Sequence, residues 1–355
     1  MSEADYLIVG QGLAGSVLAC LLAMRSRKFI IIDDAHASAA SKSAAGIINP
    51  ITGKRLNRPL LIDEMLQSAF EFYPQAERLL GHRFFYSRKV LRLLQSVEEQ
   101  RCWTRRLATG EYHRYVADQI PSCSIKGYEF GGFEIGRAAQ LDVPKFLDSA
   151  RDYFIAANSL VERRFEYSDI KFCSNGVQWC EFRSPVLVFC EGYKLKKNPF
   201  FGGIEMNPAK GEMLTFRSCS FADDRIVQRG KWIFRNQDGL IKAGTTYSWD
   251  LLDEMPTALG RAEILKGLEE FADFRFEIVG QTAGVRPVVR ADNRPVVGSH
   301  PEHRALAILN GLGSKGALQA PCAADQLVDH LENGKPIRPE FDVCRNLVWK
   351  QRVNA

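Results

Sequence analysis

A glycine-rich turn set between two apolar runs constrains this chain more than any other feature. Tyr6-Leu7-Ile8-Val9 is a short apolar run suited to a buried parallel strand. Gly10-Gln11-Gly12-Leu13-Ala14-Gly15 follows, and Ser16 to Arg25 then carries small and apolar residues in a helix-compatible pattern. Phe29-Ile30-Ile31-Ile32 is a second buried run, ending in Asp33-Asp34. Strand, glycine turn, helix and strand make a βαβ unit of roughly thirty residues. Gly10 permits a tight turn, Gly12 lets a pyrophosphate approach bare backbone, and Gly15 lets helix and strand pack closely. The helix N-terminus adds unpaired N–H groups and partial positive charge. Asp33, 23 residues after Gly10, is placed to accept hydrogen bonds from ribose hydroxyls, and its charge argues against a phosphate there. Asp34 is the second choice, because strand alternation should point it elsewhere. The unit is read as a dinucleotide site.

The rest of the chain does not repeat this unit. The pattern predicts a helix over Arg58 to Leu80, strands within Arg83 to Leu94, and a helix from Ser96 to Ala108. Asp142-Val143-Pro144 opens another helix through about Ala157. Asn175-Gly176 marks a hairpin, and Val186 to Cys190 is a buried strand closing at Glu191-Gly192. Short alternating runs from Gly211 to Tyr247 suggest an antiparallel sheet, followed by a helix over Thr257 to Phe271 and a strand over Ala305 to Asn310. The fold class is α/β (α+β overall), a Rossmann-like domain interleaved with a substrate domain on an antiparallel sheet.

Composition excludes more than it selects. In 355 residues, 46% are hydrophobic and 25% charged, which suits a folded domain pair rather than disorder or a coiled coil. Lys+Arg of 47 against Asp+Glu of 42 gives only +5, so a nucleic-acid partner is not expected on charge. Nine scattered cysteines form no C-x-x-C pair, and six histidines form no H-x-x-x-H pair. Reduced thiols in a cytoplasmic protein, with no metal site, is the expectation. The most apolar stretch, Leu7 to Met24, is broken by Gln11 and three glycines, so no membrane span is expected.

A second glycine loop, Gly311-Leu312-Gly313-Ser314-Lys315-Gly316, lies between the Ala305–Asn310 strand and a helical stretch, Ala317 to Glu332, with Pro321 early in it. A single nicotinamide nucleotide seldom needs two such loops, whereas a longer ligand does. Backbone donors and a positive helix end beside a flavin's pyrimidine edge would stabilise its anionic reduced form.

With Ser43-Ala44-Ala45-Gly46-Ile47-Ile48-Asn49-Pro50, Ala283-Gly284-Val285-Arg286-Pro287, Asp292 and Pro295–Gly298, these motifs stand in a telling order. The chain resembles FAD-dependent oxidoreductases of the D-amino-acid oxidase class. That class includes glycine oxidase, sarcosine oxidase and the flavin domain of a bacterial tRNA-wobble-uridine modifying enzyme. The resemblance spans nearly the whole chain, including Gly131-Gly132 and Lys210-Gly211-Glu212. It implies that Gly10, Gly12, Leu13, Ala14, Gly15, Asp33 and Asp34 hold the ADP half of FAD. Ser43, Ala44, Ala45 and Gly46 would line the phosphates and approach the isoalloxazine. Gly313, Ser314, Lys315 and Gly316 would border its pyrimidine edge, with Gly192 and Gly311 joining the cofactor set. Arg286 aligns with an arginine that pairs with a substrate carboxylate, a task suited to a permanently charged fork; a structural ion pair with Asp292 is the competing role. Relatives with covalent flavin use a cysteine near this position, and none falls there, so FAD is expected to be noncovalent.

Tyr247 would supply a hydroxyl or a pocket wall, and Lys315 would favour the anionic flavin. Lys54 and Arg55 read as solvated loop charges, and His300 and His303 as surface turn residues. Domain boundaries are expected at 1–80, 134–200 and 281–355 for the FAD-binding domain, and at 81–133 and 201–280 for the substrate-binding domain. The expected function is oxidation of a C–N bond in an amine or amino acid by hydride transfer to flavin, with electrons passed to oxygen or another acceptor. The alternatives are a flavoenzyme modifying a tRNA wobble uridine and a non-catalytic electron-transfer flavoprotein.

Overall fold

Alternation along the first strands sets the architecture. In the computed structural model, which describes residues 2–345 apart from 36–39, 118–125, 219, 222 and 274, Tyr6, Ile8, Phe29 and Ile31 enter one hydrophobic core. Leu7, Val9, Ile30 and Ile32 enter another on the opposite face. Strands buried on both sides are what a parallel sheet requires. The sheet has six strands in the order Val296–Ser299, Leu306–Asn310, Val186–Phe189, Tyr6–Val9, Phe29–Asp33 and Leu160–Glu162. All pairs are parallel except the first, an antiparallel edge.

The helices are α1 (Leu13–Met24), α2 (Ile62–Leu80), α3 (Val97–Ala108), α4 (Val143–Ala156), α5 (Ala258–Glu269) and α6 (Gly316–Asn333). Helices α1, α2, α4 and α6 pack together over one face of this sheet. A four-stranded sheet that contains the Ile170–Cys173 and Gly176–Trp179 hairpin covers the other. Asp142 and Ser96 cap α4 and α3 by accepting from the N–H groups of Lys145 and Glu99. Helix α2 begins later than its pattern predicts, because Leu61 takes a left-handed conformation and leaves Pro59 outside. Pro321 lies inside α6 and cannot donate to the Ala317 carbonyl; that oxygen accepts the Tyr73 hydroxyl instead, at 2.8 Å.

A second sheet of seven strands runs Glu277–Arg286, Ala209–Arg217, Ile241–Gly244, Lys231–Arg235, Ile226–Arg229, Val90–Leu93 and Gly132–Ile135. It is antiparallel except where Ile226–Arg229 lies parallel to Val90–Leu93, a partner from a distant stretch of chain. Helix α5 packs on it through Ile264 and Leu268. Two of its strands, Gly132–Ile135 and Glu277–Arg286, run across the boundaries expected near 133 and 280. The Ala40–Ser43 turn joins the two sheets, with Ser43 Oγ donating to the Ala283 carbonyl at 2.8 Å.

Among the described residues, seven cysteines are free, no cluster suits a metal ion, and no helix is long and apolar enough to cross a membrane. Cys123 and Cys219 lie outside the described residues. One expectation is corrected: His300 is not on the surface but 1% exposed. Its Nδ1 accepts the N–H groups of Glu302 and His303, both at 3.1 Å, so the ring holds the turn together from within. His303 does lie outside, stacked on Phe172.

Candidate active site

Both glycine loops open onto one cavity of about 1270 Å³, above the roughly 300–1,000 Å³ of ordinary small-molecule pockets. At one end, Gly10, Gly12, Leu13 and Ala14 form its wall where α1 begins. No side chain caps α1 at Gly12, although Ser41 Oγ accepts from the Leu13 N–H at 3.1 Å. Gly15 stands back from the cavity. A Cβ there would lie 1.9 Å from the Gly10 carbonyl oxygen, so its bareness serves the packing of helix on turn.

Asp33 is buried and fixed. Its Oδ2 accepts the Gln11 N–H at 2.8 Å, and Arg151 Nη1 reaches Oδ1 at 3.2 Å. Asp34 also lines the cavity, but it is exposed and lies 3.7 Å from Lys194. The buried acid is therefore the one aimed by the strand. Gln11 and Arg151, which orient it, carry no sequence signal of their own; Arg151 comes from α4, more than a hundred residues away.

Ser43, Ala44, Ala45, Gly46 and Gly192 line the middle of the cavity, and Gly313, Ser314, Lys315 and Gly316 line it at the start of α6. Gly311 does not line it; that residue turns the chain behind Val289. The Gly313 N–H donates to the Pro287 carbonyl at 3.0 Å, which ties this loop to the end of the strand bearing Arg286. These walls are small side chains and bare backbone for most of their length. Such a cradle fits a dinucleotide-sized group: acid at a ribose position, N–H groups at a pyrophosphate position, and a helix start beyond.

At the far end, Arg286 is held from three sides. Nη2 donates to Thr245 Oγ1 at 2.7 Å, Nη1 donates to the Thr246 carbonyl at 3.3 Å, and the Tyr247 ring lies 4.3 Å from Cζ. Thr245 Oγ1 donates in turn to the Glu212 carbonyl at 3.0 Å, which leaves its lone pairs for Arg286. No carboxylate among the described residues pairs with Arg286. Asp292 instead binds Arg345, at 3.0 and 3.2 Å, so the competing structural role is not realised. Burial pulls the Arg286 pKa down from the usual guanidinium value, without an acid to offset it. Lys315, half-buried, is likewise without a carboxylate partner among the described residues, and burial lowers its pKa. Two cations with no counter-charge facing one cavity make an anion-receiving site.

Tyr247 lines the cavity while remaining 46% exposed. Lys54 also lines it, whereas Arg55 does not. Sequence reasoning missed Thr245 and Trp232 as site residues, and noted Gly211 and Trp249 without a role. Gly211 has one: a Cβ there would lie 1.8 Å from Arg286 Nη2. Only pairing of the two strands, Gly211 opposite Gly284, reveals it.

A family model described as FAD dependent oxidoreductase (DAO) matches residues 5–330. Glycine oxidase of Pseudomonas putida is 28% identical over 145 residues, covering 38% of this chain and 38% of that protein. The tRNA 5-methylaminomethyl-2-thiouridine biosynthesis bifunctional protein MnmC of Azoarcus sp. is 24% identical over 386 positions, covering 96% of this chain and 59% of its own length. The chain thus spans less than two thirds of the length of either relative. In fold, it superposes on glycine oxidase from Geobacillus kaustophilus with a TM-score of 0.78 at 22% identity, covering 95% of this chain and 96% of that one.

Proposed function

Because the chain belongs to the DAO family of FAD-dependent oxidoreductases, we propose that it oxidises the C–N bond of a carboxylate-bearing amine or amino acid. The observation that carries this reading is Arg286, a guanidinium fixed by Thr245 and Thr246, facing the cavity with no acid paired to it among the described residues. Bound FAD supplies the hydride acceptor. The chain's residues do the rest. Gly10 to Ala14 and Asp33 hold the adenylate half, and Ser43 to Gly46 with Gly313 to Gly316 hold the flavin half. Arg286 receives the carboxylate as a two-pronged donor and so fixes the adjacent carbon. The Tyr247 ring lies against the planar guanidinium and helps hold it in place. Lys315 sets positive charge at the start of α6. No acid–base pair is required if the amine arrives neutral. Oxygen or another acceptor reoxidises the protein, and the FAD is held noncovalently.

An anaerobic screen of amino acids and N-alkyl glycines against the FAD-loaded protein, watching for loss of the flavin's visible absorbance, tests this. Arg286→Leu should retain FAD and raise the effective substrate's KM by roughly thirtyfold or more, since truncating one side of a buried charge pair costs on the order of 2–5 kcal/mol. Unchanged turnover would end the carboxylate assignment.

A second reading is favoured by alignment length. The tRNA-biosynthesis relative matches across 96% of this chain, against 38% for glycine oxidase. Under it, the amine is carried on a modified uridine of tRNA. Filter binding of bulk tRNA separates the two, because phosphate-mediated binding must weaken steeply with salt.

A further inference from the structure

We propose that Lys231 is a positioning residue for the carboxylate anchor, and that helix α5 is the support behind it. The inference rests on Arg286 receiving a carboxylate and names what keeps Arg286 aimed. Thr245 is the joint. Its hydroxyl accepts from Arg286 Nη2 at 2.7 Å and donates to the Glu212 carbonyl at 3.0 Å. Its own carbonyl accepts from Lys231 Nζ at 2.8 Å. Thr245 is therefore held at its hydroxyl and at its carbonyl, by residues from two different strands. Lys231 lines the cavity, yet its side chain is only 15% exposed, and Glu263 of α5 accepts from the same ammonium at 2.6 Å.

Two glycines show that α5 is shaped around this arrangement. Glycine is a poor residue for a helix interior, yet α5 carries Gly260 and Gly267, about two turns apart on one face. A Cβ at Gly267 would lie 2.5 Å from Lys231 Cγ, and one at Gly260 would lie 2.5 Å from the Glu212 carboxyl carbon. Each bare position admits one of the two residues that hold Thr245. The Glu212 carboxylate is fastened there by the Thr257 N–H at 2.8 Å and the Thr257 hydroxyl at 2.7 Å, which fixes the strand whose carbonyl takes the Thr245 hydroxyl. The Lys231 stem passes Gly267, and its ammonium ends between Glu263 and the Thr245 carbonyl. Without that ammonium the carbonyl loses a charged donor. The peptide is then free to turn, and the hydroxyl leaves its line to Arg286.

The experiment uses FAD-loaded protein and butyrate, a carboxylate with no nitrogen to oxidise, titrated while the flavin absorption spectrum is followed. Lys231→Met keeps a stem against Gly267 and removes the ammonium. It should weaken butyrate binding about tenfold, the scale of one hydrogen bond to a charged group, with FAD content unchanged. Gly267→Ala lies outside the cavity and changes no charge, and it should weaken butyrate about threefold by displacing the stem. In a Thr245→Val background, Lys231→Met should cost about twofold at most, because the hydroxyl it aims is already gone. A tenfold loss that persists in that background is a through-space effect of the lysine charge and overturns the positioning role. So does a butyrate affinity in Lys231→Met within about twofold of the unaltered protein. An unchanged affinity in Gly267→Ala overturns the part given to α5. Arg286→Leu separates this inference from the reading beneath it. If that variant loses butyrate while Lys231→Met keeps it, the positioning role alone falls. If the unaltered protein fails to bind butyrate, or Arg286→Leu binds it equally well, the anchor falls and the positioning role with it.

Discussion

Gly211→Ala separates the position of Arg286 from the stability of the sheet. Gly211 is an ordinary strand residue with extended backbone, paired with Gly284, so the substitution should not strain the chain. In a strand interior it even removes a glycine penalty of roughly 0.5–1 kcal/mol. The added Cβ, however, would lie 1.8 Å from Arg286 Nη2, 2.2 Å from Cζ and 2.3 Å from Nη1. Contacts under 3.0 Å essentially never occur for a real Cβ. The guanidinium, at the end of a flexible side chain, must retreat by more than an ångström, and its 2.7 Å bond to Thr245 is lost. Misplacement on that scale costs about a hundredfold in rate. Gly211→Ala should therefore lower kcat/KM for a carboxylate substrate by about a hundredfold, with FAD content and melting temperature nearly unchanged. The double variant with Arg286→Leu should be no worse than Arg286→Leu alone, because both changes remove the same interaction. Retention of carboxylate turnover within a few-fold in Gly211→Ala, or full additivity in the double variant, would refute the reasoning.

Two further outcomes follow from charges at the site and away from it. Lys315→Met should weaken sulfite addition to the bound flavin by about tenfold, since the adduct is an anion and the lysine is the positive charge at the start of α6. Burial lowers the Lys315 pKa, so its help is present at lower pH and fades as pH rises through a value below the usual lysine figure of about 10.4; a pH series of sulfite titrations reads this. For Asp292, burial raises the carboxyl pKa, but hydrogen bonds from Arg345 and the Arg294 N–H more than offset it and hold the value low. A depressed carboxyl stabilises the fold above its unfolded pKa of about 3.9 and loses that contribution as pH falls through the folded value. Asp292→Asn should lower the melting temperature near neutrality and flatten its decline below about pH 4; an identical acid profile would contradict the ion pair.

What the sequence made legible is what local chain geometry encodes. The first glycine turn, the buried acid Asp33 and the loop from Gly313 to Gly316 each sit within a few residues of the strand or helix that positions them, and all of these line the cavity. Arg286 was legible as a residue but not as an environment. Its hydroxyl partner follows the strand Ile241–Gly244, its ring partner lies two residues beyond, and the space it occupies is vacated by Gly211 on a neighbouring strand. None of these is near it in the chain; all are set by register. Arg151 and Asp33 repeat the lesson, as α4 carries a cation more than a hundred residues along the chain to the acid of the first βαβ unit.

The property that gives Arg286 its chemistry is a negative one, the lack of a paired acid among the described residues, and no spacing of residues encodes that. The acid nearest in sequence, Asp292, is occupied by Arg345. Arg345, the last residue of the turn Val343–Arg345, binds Asp292 through two nitrogens and so keeps that acid paired away from Arg286. It follows that weakening the Arg345–Asp292 pair does more than loosen that turn: it releases an acid six residues along the chain from the anchor.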